Sequence, residues 1–377
     1  MERREGEIAL RLSAALWRFW SGRGYLSEGR MWLARALAGA ETAPLPVRVA
    51  ALTAAGSLAE DQNDYAAAER WHTAALGAWT TLGDDGGRAR ALDSLGNVAR
   101  DRGDYQRAEE LGDQALAIAR RAGDRWGIAR GLGNLGSVAY FRGDYDRAEA
   151  LWTQCLPLLR SDGDHRTEAV VLNNLGALSL QQGNPAQAAT LHDEALVIRR
   201  RLGDRIGVAA SLYNLGEVSR LGGDLDRAVD LFEEALALFR EIGDSRRSGQ
   251  ILANLGRVAH ERGDVDTATS LLRDGIARLW AAGDRFTLAE ALEMLAPVRR
   301  VGVPAEQSVR LFASAARLRQ SLGAARDETE GAAFDGALAG LRTELGDAAF
   351  DLAWEEGEAM GIERAVAEAL DGEKGQG

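Results

Sequence analysis

The sharpest chemical pattern in this 377-residue chain is a ladder of amides. Positions spaced by 40 residues read Ala54, Ser94, Asn134, Asn174, Asn214 and Asn254. A carboxamide carries two N–H donors and one acceptor oxygen. It can therefore pair with the backbone of an extended peptide without reading its side chains. That chemistry is recognition rather than catalysis. Neighbouring positions would add selectivity: Asp93, Asn97, Arg100, Arg130, Tyr140, Phe141, Asn173, Leu180, Tyr213, Arg220 and Arg257. Tyr140, Phe141, Leu180 and Tyr213 are apolar or aromatic on an expected solvent-facing stripe, which favours an occupied groove or a partner helix. The other use of such amides is to tie neighbouring helices or loops together.

Catalytic arrangements are missing, so no enzyme and no cofactor are expected. The four histidines are His72, His165, His192 and His260. His72 and His192 share one repeat position with Trp152 and Phe232, which points to packing. They are too dispersed for any two to share a metal. Cys155 is the only cysteine and stands in an alanine series, so it reads as a small buried residue and forms no internal disulfide. Lys374 is the only lysine and lies in the polar tail. A GxxxxGK[ST] phosphate loop and a Schiff-base lysine are thus impossible within the repeats. Gly127, Gly131, Gly133 and Gly136 fall at helical spacing with no strand before them, which argues against a dinucleotide loop.

Charge narrows the partners. The chain carries a formal net charge of −12. Residues 1–48 hold eight Arg and five Glu, whereas 326–377 hold four basic and fourteen acidic residues. Holding phosphate backbones requires clustered Lys and Arg, so nucleic-acid binding by this chain is not expected. No apolar run approaches the roughly 20 residues of a membrane span, and Arg11 and Arg18 interrupt the first amphipathic stretch. A cytoplasmic, membrane-free protein is the expectation.

The amides must be positioned by repeated elements, and the repeat is explicit. Glycine recurs at Gly56, Gly96, Gly136, Gly176, Gly216 and Gly256, with leucine four residues earlier from Leu52 to Leu252. Alanine stands twelve residues later, at Ala68, Ala108, Ala148, Ala188, Ala228 and Ala268. A second small series reads Ala75, Ala115, Cys155, Ala195, Ala235 and Gly275. Each unit carries two helical patterns. Gly-Asp pairs separate them, glycine as a left-handed stop and aspartate as the next N-cap. Gly96 and Ala108 should face each other within a pair, and Ala115 should meet the next repeat. A large residue at these places would cost about 1–3 kcal/mol by overpacking. Four segments follow: a degenerate repeat over 1–48, six 40-residue repeats over 49–288, a seventh over 289–325, and an acidic helical cap with a polar tail over 326–377. Within the cap, 331–345, 347–360 and 362–370 read as short amphipathic helices.

The Leu-Gly pairs, the turns Gly103-Asp104-Tyr105 and Gly143-Asp144-Tyr145 and the two alanine series resemble the tetratricopeptide repeat in its 40-residue, kinesin-light-chain-like form. The family's usual proline at the end of the second helix is missing. The resemblance implies an all-α fold, a right-handed superhelical solenoid of antiparallel helix pairs whose first helices line a concave groove. The flanks are similar to something narrower. Leu16-Trp17-Arg18-Phe19-Trp20 with Gly24-Tyr25-Leu26 at one end, and Leu345-Gly346-Asp347 through Trp354-Glu355-Glu356-Gly357 at the other, resemble the repeat arm of LuxR-type and maltose-regulator-like signal-transducing ATPases. That likeness implies the regulatory arm of a bacterial transcriptional regulator, sensing a protein, peptide or small inducer in the groove. The alternative is a free-standing peptide receptor or scaffold. The ligand-contacting residues expected are Asn134, Asn174, Asn214, Asn254, Tyr140, Phe141, Asn173, Tyr213, Arg220 and Arg257.

Overall fold

The computed structural model describes residues 2–39, 42–298, 304–324, 326 and 328–370; Lys374 and the polar tail lie outside them. The described residues form 19 α-helices and no strand. They fall into two compact units, Met1–Gln182 and Gly183–Gly377.

The first unit opens with α1 (Glu2–Arg23) and α2 (Leu26–Ala38). The pairs α3 (Leu45–Asp61) with α4 (Tyr65–Leu82), α5 (Asp85–Asp101) with α6 (Tyr105–Ala122), and α7 (Arg125–Phe141) with α8 (Tyr145–Asp162) follow, and then α9 (His165–Gln181). The second unit holds α10 (Pro185–Leu202) and the pairs α11 (Arg205–Leu221) with α12 (Leu225–Ile242) and α13 (Ser245–Glu261) with α14 (Val265–Ala282). It ends with α15 (Arg285–Leu295), α16 (Ala305–Leu322), α17 (Glu328–Leu345), α18 (Asp347–Ala359) and α19 (Ile362–Leu370). A 17-residue first helix, a three-residue turn, an 18-residue second helix and a two-residue turn give the period of 40.

The punctuation works as its residue types dictate. At Gly123 the backbone turns left-handed (φ 66°), a region closed to most side chains, and the helix stops there. Asp124 then accepts from the amide of Gly127 at 3.0 Å, capping α7. Asn63 fills the left-handed place that Gly103 holds one repeat later, at φ 57°; asparagine is among the few residues that tolerate it. Asn184 makes no side-chain cap bond, and Pro185 starts α10 instead with its preset φ.

Packing runs through the small residues. A methyl on Gly96 would stand 3.3 Å from the carbonyl oxygen of Ala108, the close approach expected within a pair. The second small series behaves differently from expectation. Ala115 packs with Ala89 and Leu92 on its own partner helix α5, not on the next repeat. In the same series, Cys155 donates its thiol hydrogen to the carbonyl of Ala129 in α7 at 3.0 Å, and Gly275 lies against Gly249 in α13. The residues of α6 that meet the next repeat are Gly112, over which Leu135 closes, and Leu116, which packs on Gly131. The second helix touches a neighbour on each side: Ala115 turns toward its own partner helix, while Gly112 and Leu116 reach the next repeat.

The last two helices pack back on α14 and α16. Gly357 of α18 sits against the Arg310 backbone and Ala313 of α16, and Ser314 donates to the Gly357 carbonyl at 2.8 Å. Arg310 pairs with Glu368 of α19 at 2.6 Å. Arg273 of α14 donates to the Ala369 carbonyl at 2.9 Å.

Candidate functional site

Successive first helices approach one another, α5 with α7 and α7 with α9 in the first unit, and α13 with α15 in the second. Their shared side is the inner face, and the amide ladder lies on it. The two units furnish their inner faces differently.

In the first unit the inner face is anchored by one buried ion pair. Asp93 of α5 is 4% exposed, and the guanidinium of Arg130 on α7 holds it at 2.6 Å. Burial pushes the Asp93 pKa up; Arg130 opposes the shift, and a hydrogen bond from the Asn134 amide opposes it less. Arg130 also stacks over the exposed ring of Trp126, 4.5 Å from its centroid. Beyond this pair the face opens. Gly133 has room for a side chain, the nearest atom to an added methyl being the Cys155 sulfur at 3.9 Å. Ser137, one turn on, is small and partly exposed. On α9, Asn173 and Asn174 are both partly exposed, and the Asn174 amide makes no hydrogen bond among the described residues.

The second unit fills the same positions with bulky side chains that satisfy one another. Tyr213 on α11 accepts through its hydroxyl from Asn254 at 3.0 Å and from Gln250 at 3.3 Å, both on α13. Burial drives the Tyr213 pKa up, with Glu217 adding to it, so the phenol stays protonated. Arg257 donates to both oxygens of Glu217 at 2.8 Å and to the Asn254 carbonyl oxygen at 2.6 Å. Arg220 pairs with Glu217 at 3.3 Å and Glu261 at 2.9 Å. Asn254 is thereby buried, 4% exposed, with its amide engaged. Asn214 lies partly exposed on α11, one residue from Tyr213. Past Arg257 lies a cleft of about 190 Å³ lined also by Glu293, Met294, Phe312, Arg319 and Phe334.

The expected aromatics stand at the rim. Tyr140 is partly buried, its ring 6.0 Å from Trp152 and 5.7 Å from Tyr145, and burial pushes its pKa up. Phe141 is 56% exposed and stacks on Tyr105 at 6.3 Å. Both end α7, where the chain turns into α8.

Sequence reasoning passed over Glu217 and Gln250, which complete the second unit's network, and Arg319. A signal for Arg319 existed. It falls in a 40-residue series with Leu159, Phe239 and Leu279, all core positions, and Arg199 breaks that series in the same way. Both arginines are buried: Arg199 donates to the Gly207 carbonyl at 3.0 Å and to Ser211 at 2.7 Å, and Arg319 pairs with Glu293 at 3.2 Å.

Two of the histidines, His72 and His192, are core residues, whereas His165 is exposed and His260 only partly buried. His72 and His192 are 1% exposed, and His72 bonds Glu60 at 2.5 Å. Burial, with the Arg199 charge second, holds the His192 pKa down at about 4. The unfolded chain therefore takes up this proton first as pH falls. The stability it confers is full above the ordinary value of 6.5 and is lost as pH drops toward 4. Between pH 6.5 and 5, above the usual carboxylate range, the loss should reach about 2 kcal/mol. Denaturant titration of wild type and His192→Phe at both pH values checks this; equal losses in the two proteins would refute it.

The described residues hold no cluster of three or more His, Cys, Asp or Glu suited to a metal. No helix among them is long and apolar enough to cross a membrane. The Gly127–Gly136 glycines lie within α7 and not in a phosphate-binding loop.

A tetratricopeptide repeat profile matches residues 47–121, 127–201, 167–241 and 207–279. Among curated proteins no sequence matches. Solved structures share the fold. A signal-transduction ATPase with numerous domains from Pyrococcus horikoshii, carrying a tetratricopeptide repeat sensor, aligns over 96% of this chain at 15% identity and a TM-score of 0.60. The chain spans 49% of that protein. A Rap protein complexed with Competence and Sporulation Factor aligns over 97% of this chain and 99% of its own, at 14% identity and a TM-score of 0.62. The quorum sensor NprR from B. thuringiensis aligns over 83% and 88% respectively, at 14% identity and 0.63.

Proposed function

Since the chain belongs to the tetratricopeptide repeat family, we propose that it senses a peptide on the inner face of its first unit and serves as the regulatory arm of a signalling protein. The observation that carries this reading is the contrast between the two inner faces. The second unit's polar side chains are occupied with one another, whereas the first unit offers small residues at Gly133 and Ser137 beside an unengaged amide at Asn174. A face with open backbone-pairing capacity beside buried, fixed charges suits an extended peptide. The likeness to a peptide-bound Rap protein and to a quorum sensor supports a peptide ligand. The likeness to a repeat sensor within a larger ATPase supports the arm. No hydrolytic role falls to this chain, whose histidines are buried or scattered and whose glycine-rich segment is helical.

Two asparagines of the ladder separate ligand contact from scaffold. Asn174→Ala should leave the melting temperature unchanged and weaken binding by about 0.5–1.5 kcal/mol, roughly two- to twelvefold. Asn254→Ala should lower the melting temperature instead, because the Tyr213 hydroxyl and Arg257 each lose a partner. The measurement is peptide capture from native cytosol by the purified chain, identification by mass spectrometry, and titration of the captured peptide against both variants. A peptide bound equally well by wild type and Asn174→Arg, which places bulk on the open face, would move the site elsewhere.

A further inference from the structure

The two ends of the chain carry complementary surfaces. On α1, Ile8, Leu12, Leu16 and Phe19 are 50%, 58%, 44% and 51% exposed. Their spacing puts them in one stripe along the helix. Arg11 and Arg18 run along one edge of it, both exposed. Single exposed apolar residues are ordinary, but four large ones in a row on one helix mark a contact surface.

At the opposite end, α17 and α18 frame an open cleft of about 640 Å³. Leu338, Phe350 and Trp354 make its apolar floor, and Asp351, Glu355 and Glu358 line the α18 side. Arg342 neutralises Asp351 in part, at 2.9 Å, and stacks on Phe350. Residues 328–370 hold eleven acidic and two basic residues, whereas residues 1–48 carry a net +3.

We propose that the α1 stripe of one copy docks in the α17–α18 cleft of a second copy. The charge register supports this occupant. Arg11 and Arg18 are seven residues apart, about 10.5 Å along a helix, and so are Asp351 and Glu358. Two helices lying side by side thus bring both arginines against the acidic edge while the apolar stripe covers Leu338 and Trp354, a helix-in-groove arrangement. Each copy carries both surfaces, so the contact joins two different patches.

Sedimentation velocity on the full chain from about 1 to about 200 µM, the range of a micromolar contact, tests this. The weight-average mass should rise with concentration above that of a monomer, and raising the salt should weaken the rise by screening the exposed arginines. An α1 variant (Leu12→Glu with Leu16→Glu) and a cleft variant (Glu355→Arg with Glu358→Arg) should each stay monomeric. All four side chains are exposed, so helical circular dichroism should be unchanged. An equimolar mixture of the two variants should yield one-to-one dimers through their remaining intact surfaces and nothing larger. A wild type that is monomeric throughout overturns the proposal. So does a cleft variant that self-associates like wild type, since α1 would then be pairing with its own counterpart.

Discussion

Replacing Arg130 with Ala is expected to destabilise the protein by about 3–5 kcal/mol at neutral pH, the cost of stranding a buried charge. Asp93 is 4% exposed, and burial already holds its pKa above the ordinary value even with the guanidinium at 2.6 Å. Without Arg130, the folded-state pKa of Asp93 rises further above that of the unfolded chain. A raised folded pKa means that stability is greatest below the unfolded value and is lost as pH rises through the folded one. The deficit of the variant should therefore shrink as the pH is lowered toward about 4, the ordinary aspartate value. Adding Asp93→Asn should restore most of the loss, since an amide needs no countercharge; Asn173 stands at the equivalent position in α9. Urea unfolding of the single and double variants at pH 7 and pH 5 decides the matter. A deficit that is independent of pH, and not relieved in the double variant, would place the cost in the lost stacking of Arg130 on Trp126.

This ion pair also shows where the sequence stops being readable. Anything set by the 40-residue period was legible, because six copies report the same constraint: the leucine and glycine stripe, the Asp caps, the left-handed glycines and the length of each helix. The terminal helices were legible from amphipathic spacing alone, with α18 and α19 starting where their patterns start. What the amides do was not legible. Asn254 meets Tyr213, and Asn134 lends its amide to Asp93, so each amide's partner is set by the residue 41 positions earlier on the neighbouring first helix. That position reads Asp93, Gly133, Asn173, Tyr213 and Ala253 across the repeats. No period governs it, so one ladder of identical asparagines contains both an engaged and an open amide. The direction of Ala115 failed for a related reason. A small residue fits either neighbour of the second helix, and only the packing of the pair shows which one it meets.

The position that faces each glycine of the Leu-Gly pair carries the second large effect. It reads His72, Gly112, Trp152, His192, Phe232 and Leu272. Trp152 is 2% exposed, and its indole N–H donates to the Gly133 carbonyl at 3.0 Å. Trp152→Ala removes the largest side chain in this series and one of the hydrogen bonds to that carbonyl, to which the Ser137 hydroxyl also donates at 3.2 Å, so it should cost about 3–5 kcal/mol. The matching glycine is there to admit the ring: a methyl on Gly136 would lie 2.5 Å from the indole nitrogen. Gly136→Ala alone should thus cost about 1–3 kcal/mol by overpacking. In the Trp152→Ala background the ring is gone, and the same substitution should change sign. Alanine within a helix is then favoured over glycine by about 1 kcal/mol and fills part of the cavity. The single and double variants form a cycle whose coupling should be about 2–4 kcal/mol, large because the two residues share one contact. Histidine is no substitute for the tryptophan. His72 relies on Glu60, and the position equivalent to Glu60 in the Trp152 repeat is Tyr140, whose ring already packs on Trp152. If Gly136→Ala costs the same with and without the indole, the glycine series is set by backbone approach to the partner helix rather than by the ring it faces.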